Sequence, residues 1–301
     1  MGANHSTGTA NTEGNRLVRI AQKRLGKYTS AFPMVLISDR AENIHDTRVA
    51  SRRMQQVINL LFPPPRSGKS RKVVRSLRKV RRVLGPCRNL DVNLDLIQEK
   101  IAAAGSEIAR DAWAQVGNAT TERRKAELSR ARDVLKQTDI VEFIGRVMTL
   151  VESVEGDQNV EKQLKQQTET AFNDWSDALA SAQENSQGAQ IHALRISGKR
   201  VRYSAELLSE LGAAGAKALI KSFKALQDEL GRWHDLQVLM EFIAEFIGRP
   251  EFLLNHPDQG RYLLTEIERE RQGTAASIGG ILENAVKIRN HWVEHRLKNS
   301  E

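Results

Sequence analysis

Apolar residues recur every three or four positions along most of the chain, as on one face of an α-helix. Leu94, Ile97 and Ile101 show this spacing, and Leu219 and Phe223 show it again far downstream. No segment alternates between apolar and polar residues as a half-buried strand would, and no short hairpin turn stands out. The pattern therefore predicts an all-α fold.

Proline and glycine mark the predicted ends of the helices, since proline cannot continue a helix and glycine often ends one. The predicted breaks fall at residues 63–65, 85–86, 155–157, 212 and 248–250. About four helices then fit on each side of the break at 155–157, packed as two bundles. The polar residues 1–14 are interpreted as a disordered tail that precedes a single domain at 15–301.

Two segments of the first half recur in the second half, in the same order. Residues 44–53 recur as 191–200, with a shared His-x-x-Arg followed by two adjacent basic residues. Residues 76–97 recur as 222–243, with a shared Leu-Gly and matching apolar positions. Such self-similarity indicates an internal duplication. It predicts an N-terminal lobe at 15–155 and a C-terminal lobe at 156–301.

The first repeated helix places its basic residues opposite its apolar residues. At about 100° per residue, Arg48 and Arg52 lie within about 60° of His45. Met54 and Ile58 lie on the opposite face. The helix is therefore amphipathic, and its polar strip is cationic.

The second copy has the same organisation, with cations spaced by three, four and three residues. These are His192, Arg195, Lys199 and Arg202, and Tyr203 lies beside them. Basic residues also line the helix that follows each copy. They are Lys72, Arg75, Lys79 and Arg82 in the first half and Lys217, Lys221 and Lys224 in the second.

The charge distribution indicates that these strips bind an anion. The chain carries a formal net charge of +9. Residues 45–90 contain thirteen Lys and Arg residues and one acidic residue, Asp46. Stacked cations repel each other, and most of these have no acidic residue at i+4. One such strip is typical of a solvated helix face, but the recurrence on several helices favours a polyanionic ligand.

Cysteine content and hydropathy limit where such a protein works. A single cysteine, Cys87, excludes a disulfide within the chain and fits a reducing compartment, so we expect a cytoplasmic protein. No apolar run is long enough for a membrane span, so no membrane association is expected.

Nucleic acid is the alternative ligand, because a basic composition also suits it. The strips lack the aromatic residues on which single strands stack, and they lack Asn or Gln among the arginines for base recognition. A phosphate polymer needs neither feature. It requires donors repeated at helical spacing.

A metal-dependent phosphohydrolase is a less favoured alternative, suggested by the dipeptides at 45–46 and 234–235. The cations Arg48 and Arg52 beside His45 disfavour a bound metal ion. The segment His291-Trp292-Val293-Glu294-His295 matches an inverted zinc-protease motif, but no third ligand accompanies it. We therefore expect a non-catalytic protein without a metal or cofactor.

The two His-x-x-Arg helices, each followed by Leu-Gly-x-x-x-[Asn/Asp]-Leu-x-Val, resemble the CHAD (conserved histidine α-helical domain) family. The resemblance implies two four-helix bundles related by a pseudo-twofold axis, with a basic central cavity. It also implies binding of inorganic polyphosphate and localisation to polyphosphate granules. One departure is Arg88-Asn89, where the family commonly has Arg-Asp or His-Asp.

The ligand contacts implied by the resemblance are His45, Arg48, Arg52, Arg53, His192, Arg195, Lys199, Arg200, Arg202 and Tyr203. The auxiliary contacts are Arg75, Lys79, Arg82, Lys221 and Lys224. The sequence leaves the oligomeric state open.

Overall fold

The computed structural model describes residues 7–63, 65–66, 68–154 and 160–298. These residues are overwhelmingly α-helical and include no β-strand, which confirms the predicted all-α class. The helices are α1 (Thr7–Ile37), α2 (Ala41–Leu61), α3 (Gly68–Val83), α4 (Gly85–Ala102), α5 (Glu107–Lys136), α6 (Ile140–Glu152), α7 (Val160–Glu184), α8 (Gly188–Leu211), α9 (Ala216–Ile247), α10 (Pro250–Asn255) and α11 (Pro257–Lys298).

Most predicted breaks coincide with helix ends. The break at 63–65 falls between α2 and α3, and the break at 248–250 falls where α9 ends and Pro250 begins α10. Residues 85–86 are the first two residues of α4, which one residue separates from the end of α3 at Val83, whereas 155–157 lie outside the described residues. Of the predicted tail at 1–14, residues 7–14 belong to the first turns of α1, and residues 1–6 lie outside the described residues.

Gly212 ends α8 in a left-handed conformation, with φ of 90°. This backbone lets the Ala213 N–H donate to the Leu208 carbonyl at 3.0 Å, as in a Schellman cap. Arg16 donates to the Leu211 carbonyl at 2.8 Å and satisfies another acceptor at the helix end.

Contacts divide the chain into two compact units, each assembled from separate segments. Unit 1 comprises Met1–Arg88, Ala126–Thr170 and Tyr203–Ile220, and unit 2 comprises Asn89–Lys125, Ala171–Arg202 and Lys221–Glu301. The predicted lobes, 15–155 and 156–301, are defined by the sequence repeat rather than by contacts, and they stay a prediction.

The core of unit 1 holds the apolar face of α2 in place. Tyr28 packs between Phe32 and Phe143, with ring centroids 5.9 and 5.1 Å away. The residues of α2 predicted to be apolar are all buried beside this cluster: Ala50, Met54, Val57, Ile58 and Leu61. Burying one large aliphatic side chain stabilises the fold by about 1.5–3 kcal/mol, so this face fixes the rotation of α2 about its axis.

In unit 2, α8 is held by an aromatic cluster. The rings of Trp175 and Phe223 lie 4.7 Å apart, edge to face. Gly198 of α8 faces both, and a Cβ there would stand 3.4 Å from Trp175 and 3.6 Å from Phe223. A small residue at this position therefore brings α8 close to its neighbours, and Leu194 and Val201 are buried on the same helix.

Candidate functional site

The arginines Arg48, Arg52, Arg81 and Arg88 form a cluster in unit 1 around the outer face of α2, and we call them the first cluster. The guanidinium of Arg48 donates to the backbone carbonyl of Arg81. Arg52 donates to the hydroxyl of Tyr203, and its guanidinium carbon lies 5.4 Å from the centre of that ring. The structure therefore brings the predicted residues Arg48, Arg52 and Tyr203 together.

Hydrogen bonds between α2 and the last turn of α3 fix the geometry of the first cluster. Arg81 donates to the Ser51 hydroxyl at 2.9 Å and also to the Gln55 side-chain carbonyl. The Ser51 hydroxyl in turn donates to the Leu77 carbonyl at 2.9 Å. With the bond from Arg48, these contacts hold the two helices in one register along the cationic strip.

The first cluster is electrostatically strained. Burial, together with Arg52 and Arg88, lowers the pKa of Arg48 to about 10. Burial, together with Arg52 and Arg48, lowers the pKa of Arg81 to about 10 as well. Both guanidiniums stay charged at neutral pH. Across the described segments of the chain, no member of the first cluster forms an ion pair with a carboxylate, so the cluster lacks a counter-charge.

His45 lies at the edge of the first cluster. Burial and the charge of Arg88 lower the pKa of His45, and the neighbouring carboxylate of Asp46 opposes this shift. An imidazole carries an N–H on at least one ring nitrogen, so His45 has a hydrogen-bond donor in either protonation state.

Each His-x-x-Arg segment ends in two adjacent basic residues, and the second of them, Arg53 or Arg200, lies beside a carboxylate. Arg53 lies 3.8 Å from the Glu206 carboxylate, and Arg200 lies 3.7 Å from the Asp174 carboxylate. Both were predicted as ligand contacts, and in both repeats the residue is paired with an acid. The preceding residue, Arg52 or Lys199, stands on the strip.

The predicted auxiliary cations lie on α3 and α9, and most of them are exposed. Arg75 and Arg82 of α3 are exposed and Lys79 is half-buried, while Lys221 and Lys224 of α9 are exposed. Within the part of the chain that the structure describes, none of these side chains forms an ion pair.

A corresponding group in unit 2 consists of His192, Arg195, Lys199 and His234, which we call the second cluster. The rings of His192 and His234 lie 5.6 Å apart, between centroids. Burial, together with Arg195, His192 and Lys199, lowers the pKa of His234 to about 4. The remaining predicted residue, Arg202, donates from Nε to the side-chain carbonyl of Gln227 at 2.8 Å.

Three residues of these clusters were missed as ligand candidates. Arg88 and His234 occupy the same position in the two copies of the Leu-Gly segment. A basic or histidine residue at this position in both copies is the sequence signal that could have identified them as candidates. Arg81 has no such signal, because the aligned residue of the second copy is Gln227.

The clusters contain donors for phosphate oxygens and no paired nucleophile and base. Among the described residues, no group of three or more His, Cys, Asp or Glu side chains is placed to hold a metal ion. The described helices also include none that is both long and apolar enough to cross a membrane. The side chain of His295, part of the motif at 291–295, lies outside the described residues.

Comparisons with known proteins identify relatives of this chain. The sequence model of the CHAD domain matches residues 19–244. The crystal structure of the CHAD domain from the plant Ricinus communis superimposes with a TM-score of 0.66 at 20% identity, covering 90% of this chain and 91% of that chain. The solved structure of PptA from Streptomyces chartreusis gives a TM-score of 0.68 at 14% identity, covering 90% and 99%. At these identities, the two structures establish similarity of fold alone. None of the curated proteins matches this chain.

Proposed function

Because this chain belongs to the CHAD domain family, we propose that it binds inorganic polyphosphate and catalyses no reaction. The observation that carries the proposal is the first cluster, in which four guanidiniums gather and, among the described residues, none of them forms an ion pair with a carboxylate. A polyanion supplies the counter-charge, and each guanidinium offers two parallel N–H donors to phosphate oxygens.

The side chains of the clusters favour polyphosphate over nucleic acid. Single-stranded nucleic acid is bound through aromatic residues on which successive bases stack. In the first cluster, the ring of Tyr203 already faces the guanidinium of Arg52, which leaves that ring face covered. A phosphate polymer has no bases to stack, and it requires only the repeated cationic donors.

Direct competition tests this choice of ligand. Labelled long-chain polyphosphate is bound to the protein at about physiological salt, and it is then displaced with unlabelled polyphosphate, duplex DNA or single-stranded RNA. We expect polyphosphate to compete at the lowest concentration of phosphate groups. If DNA or RNA displaces the label by a wide margin, the protein is a nucleic-acid-binding protein and the proposal fails.

A double variant tests the location of the site. Arg48→Ala with Arg195→Ala removes one guanidinium from each cluster, and we expect the affinity for polyphosphate to fall by about 30-fold. The matched control is Arg130→Ala with Arg261→Ala, because each is exposed, lies in the same unit as its counterpart and pairs with an acid one turn away. Unchanged affinity in a folded Arg48/Arg195 variant rules out both clusters as the residues that bind polyphosphate.

The absence of catalysis is tested with the same protein. Incubation with long-chain polyphosphate and Mg²⁺, Mn²⁺ or Zn²⁺ is expected to release no orthophosphate above the level of a blank. Sustained release that scales with protein concentration contradicts the non-catalytic proposal and revives the phosphohydrolase alternative.

We further propose that polyphosphate binding directs the protein to polyphosphate granules in the cytoplasm. A fluorescent fusion is expected to co-localise with granules in cells that accumulate the polymer. The Arg48/Arg195 variant is expected to be diffuse, and the Arg130/Arg261 control is expected to remain on granules. A diffuse wild-type fusion contradicts granule targeting without affecting the binding proposal.

A further inference from the structure

The same hydrogen bond between an arginine and a glutamine occurs in both copies of the repeat, with the two residues in swapped positions. In the first copy, Arg81 of α3 donates to the side-chain carbonyl of Gln55 of α2. Alignment of the repeat pairs residue 55 with Arg202 and residue 81 with Gln227. In the second copy, Arg202 of α8 donates to the side-chain carbonyl of Gln227 of α9 at 2.8 Å. Both copies thus join the same two helix positions with one arginine and one glutamine, in opposite order.

The bond in the first copy lies directly beneath the cationic strip. Arg81 also donates to Ser51, and its backbone carbonyl accepts from Arg48. The side chain of Arg81 therefore fixes the last turn of α3 against α2, and this turn presents the carbonyl that orients Arg48.

A purely structural role does not explain why one residue of the pair is charged. Two glutamines can form the same kind of hydrogen bond between the helices, and they avoid placing a charge beside Arg48, Arg52 and Arg78. Keeping a guanidinium here costs stability while the cluster lacks a counter-charge. The cost is offset when a polyanion binds, because the charge then adds to the attractive field.

We propose that Arg81 is a positioning residue of the polyphosphate site, and that an arginine at residue 55 can take over this role, because Arg202 and Gln227 form the same bond in the reverse order. The inference rests on the proposed function. Arg81 orients Arg48 through the last turn of α3 and adds positive charge behind the strip, while its own terminal nitrogens bond to Ser51 and Gln55.

An exchange experiment tests this role with three variants. Arg81→Gln removes the charge, and Gln55→Arg with Arg81→Gln gives the first copy the order of the second. Arg78→Gln is the matched control, because Arg78 is exposed on the same helix, three residues away, and loses the same charge. Binding of long-chain polyphosphate is measured for each, together with the melting temperature and the salt dependence of the affinity.

We expect Arg81→Gln to weaken binding by about tenfold, since charge-assisted hydrogen bonds that position a contact are lost with the charge. The exchanged double variant is expected to recover binding to within about twofold of the wild type. Arg78→Gln is expected to cost about twofold, as a change in the long-range field alone.

Two results overturn the inference. Binding by Arg81→Gln that equals that of Arg78→Gln shows that the charge and position of Arg81 do not matter to the site. A folded double variant as weak as Arg81→Gln shows that an arginine is needed at residue 81 itself, as a direct contact. Failure of the wild type to bind polyphosphate refutes the proposed function instead. In that case the melting temperatures still report whether residues 55 and 81 are exchangeable as a pair.

Discussion

The two cationic clusters occupy matching positions of the repeat but carry different chemistry. Arg88 of the first cluster aligns with His234 of the second, and Arg52 aligns with Lys199. The first cluster consists of guanidiniums, which stay charged at neutral and acidic pH. The second combines two histidines with Arg195 and Lys199, and the charge of His234 depends on pH. The two clusters therefore differ in how their charge responds to pH, although they align with each other in the sequence repeat.

The helices behind the clusters differ as well. In the first copy, α3 ends at Val83 and α4 begins at Gly85, with Pro86 in its first turn. In the second copy, α9 runs without interruption from Ala216 to Ile247, through the aligned residues Gly231 and Arg232. Proline accounts for the difference, because it is tolerated in a first turn and not in a helix interior.

The largest effect is expected from placing a proline at residue 232 of the second copy, which aligns with Pro86 of the first. Arg232→Pro removes a backbone hydrogen bond in the interior of α9 and introduces a clash with the preceding turn. We expect the free energy of unfolding to fall by about 3 kcal/mol or more in urea denaturation. Arg232→Ala is the control for the lost ion pair with Glu99, an exposed pair expected to contribute less than about 1 kcal/mol. Equal losses in the two variants contradict the explanation.

A smaller effect distinguishes the clusters by affinity. Arg48→Gln with Arg52→Gln is expected to weaken polyphosphate binding at pH 8 by about 50-fold, which corresponds to about 2.3 kcal/mol. Arg195→Gln with Lys199→Gln is expected to cost about tenfold, because a lysine gives no bidentate contact. Titration calorimetry measures both. The contrast between the clusters is refuted if the second pair of substitutions costs more than the first.

The stability of the protein without ligand is expected to depend on pH through the partly buried His234. The unfolded chain binds a proton on His234 near the ordinary value of 6.5, whereas the pKa in the folded protein is about 4. Lowering the pH through this window therefore favours the unfolded state, and stability is lost between about pH 6.5 and pH 4. Between pH 7 and pH 4.5, the free energy of unfolding of His234→Gln is expected to fall by about 1–2 kcal/mol less than that of the wild type, allowing for solvent screening. Identical pH profiles in chemical denaturation exclude this linkage.

The smallest effect concerns the pH dependence of binding. A bound polyanion raises the pKa of His234, so binding is accompanied by proton uptake and strengthens as the pH falls. We expect the wild-type affinity to rise by about threefold from pH 7.5 to pH 5.5, and we expect His234→Gln to remove most of that rise. Titration calorimetry in buffers of different ionisation enthalpy measures how many protons the protein takes up when polyphosphate binds. A wild type that takes up none contradicts the assignment of His234 to the site.

Local periodicity predicts the parts of this structure that depend on one helix at a time. The buried face of α2 was predicted from spacing alone, since Met54 and Ile58 recur at helical intervals. The proline at residue 86 likewise predicts the end of α3. Such features need no knowledge of which helices are neighbours.

Pairing between distant segments could not be predicted in this way. The resemblance grouped Arg53 with Arg52, yet adjacent residues point about 100° apart on a helix, and Arg53 meets Glu206. Arg200 meets Asp174 in the second copy. Arg81 was missed because its partner lies on another helix and its counterpart in the repeat is a glutamine. Each of these contacts depends on tertiary packing that the spacing of one helix does not encode.

The segmented composition of the two units has a consequence during synthesis of the chain. Unit 1 needs Tyr203–Ile220, so it cannot be completed until most of the polypeptide has left the ribosome. Arg24 illustrates the delay: its nearly buried guanidinium pairs with the Glu210 carboxylate at 2.6 Å. Burying that charge before its partner exists is unfavourable, so α1 is expected to keep Arg24 hydrated in the nascent chain. Completion of the first unit is thereby tied to the arrival of a helix encoded in the second half of the sequence.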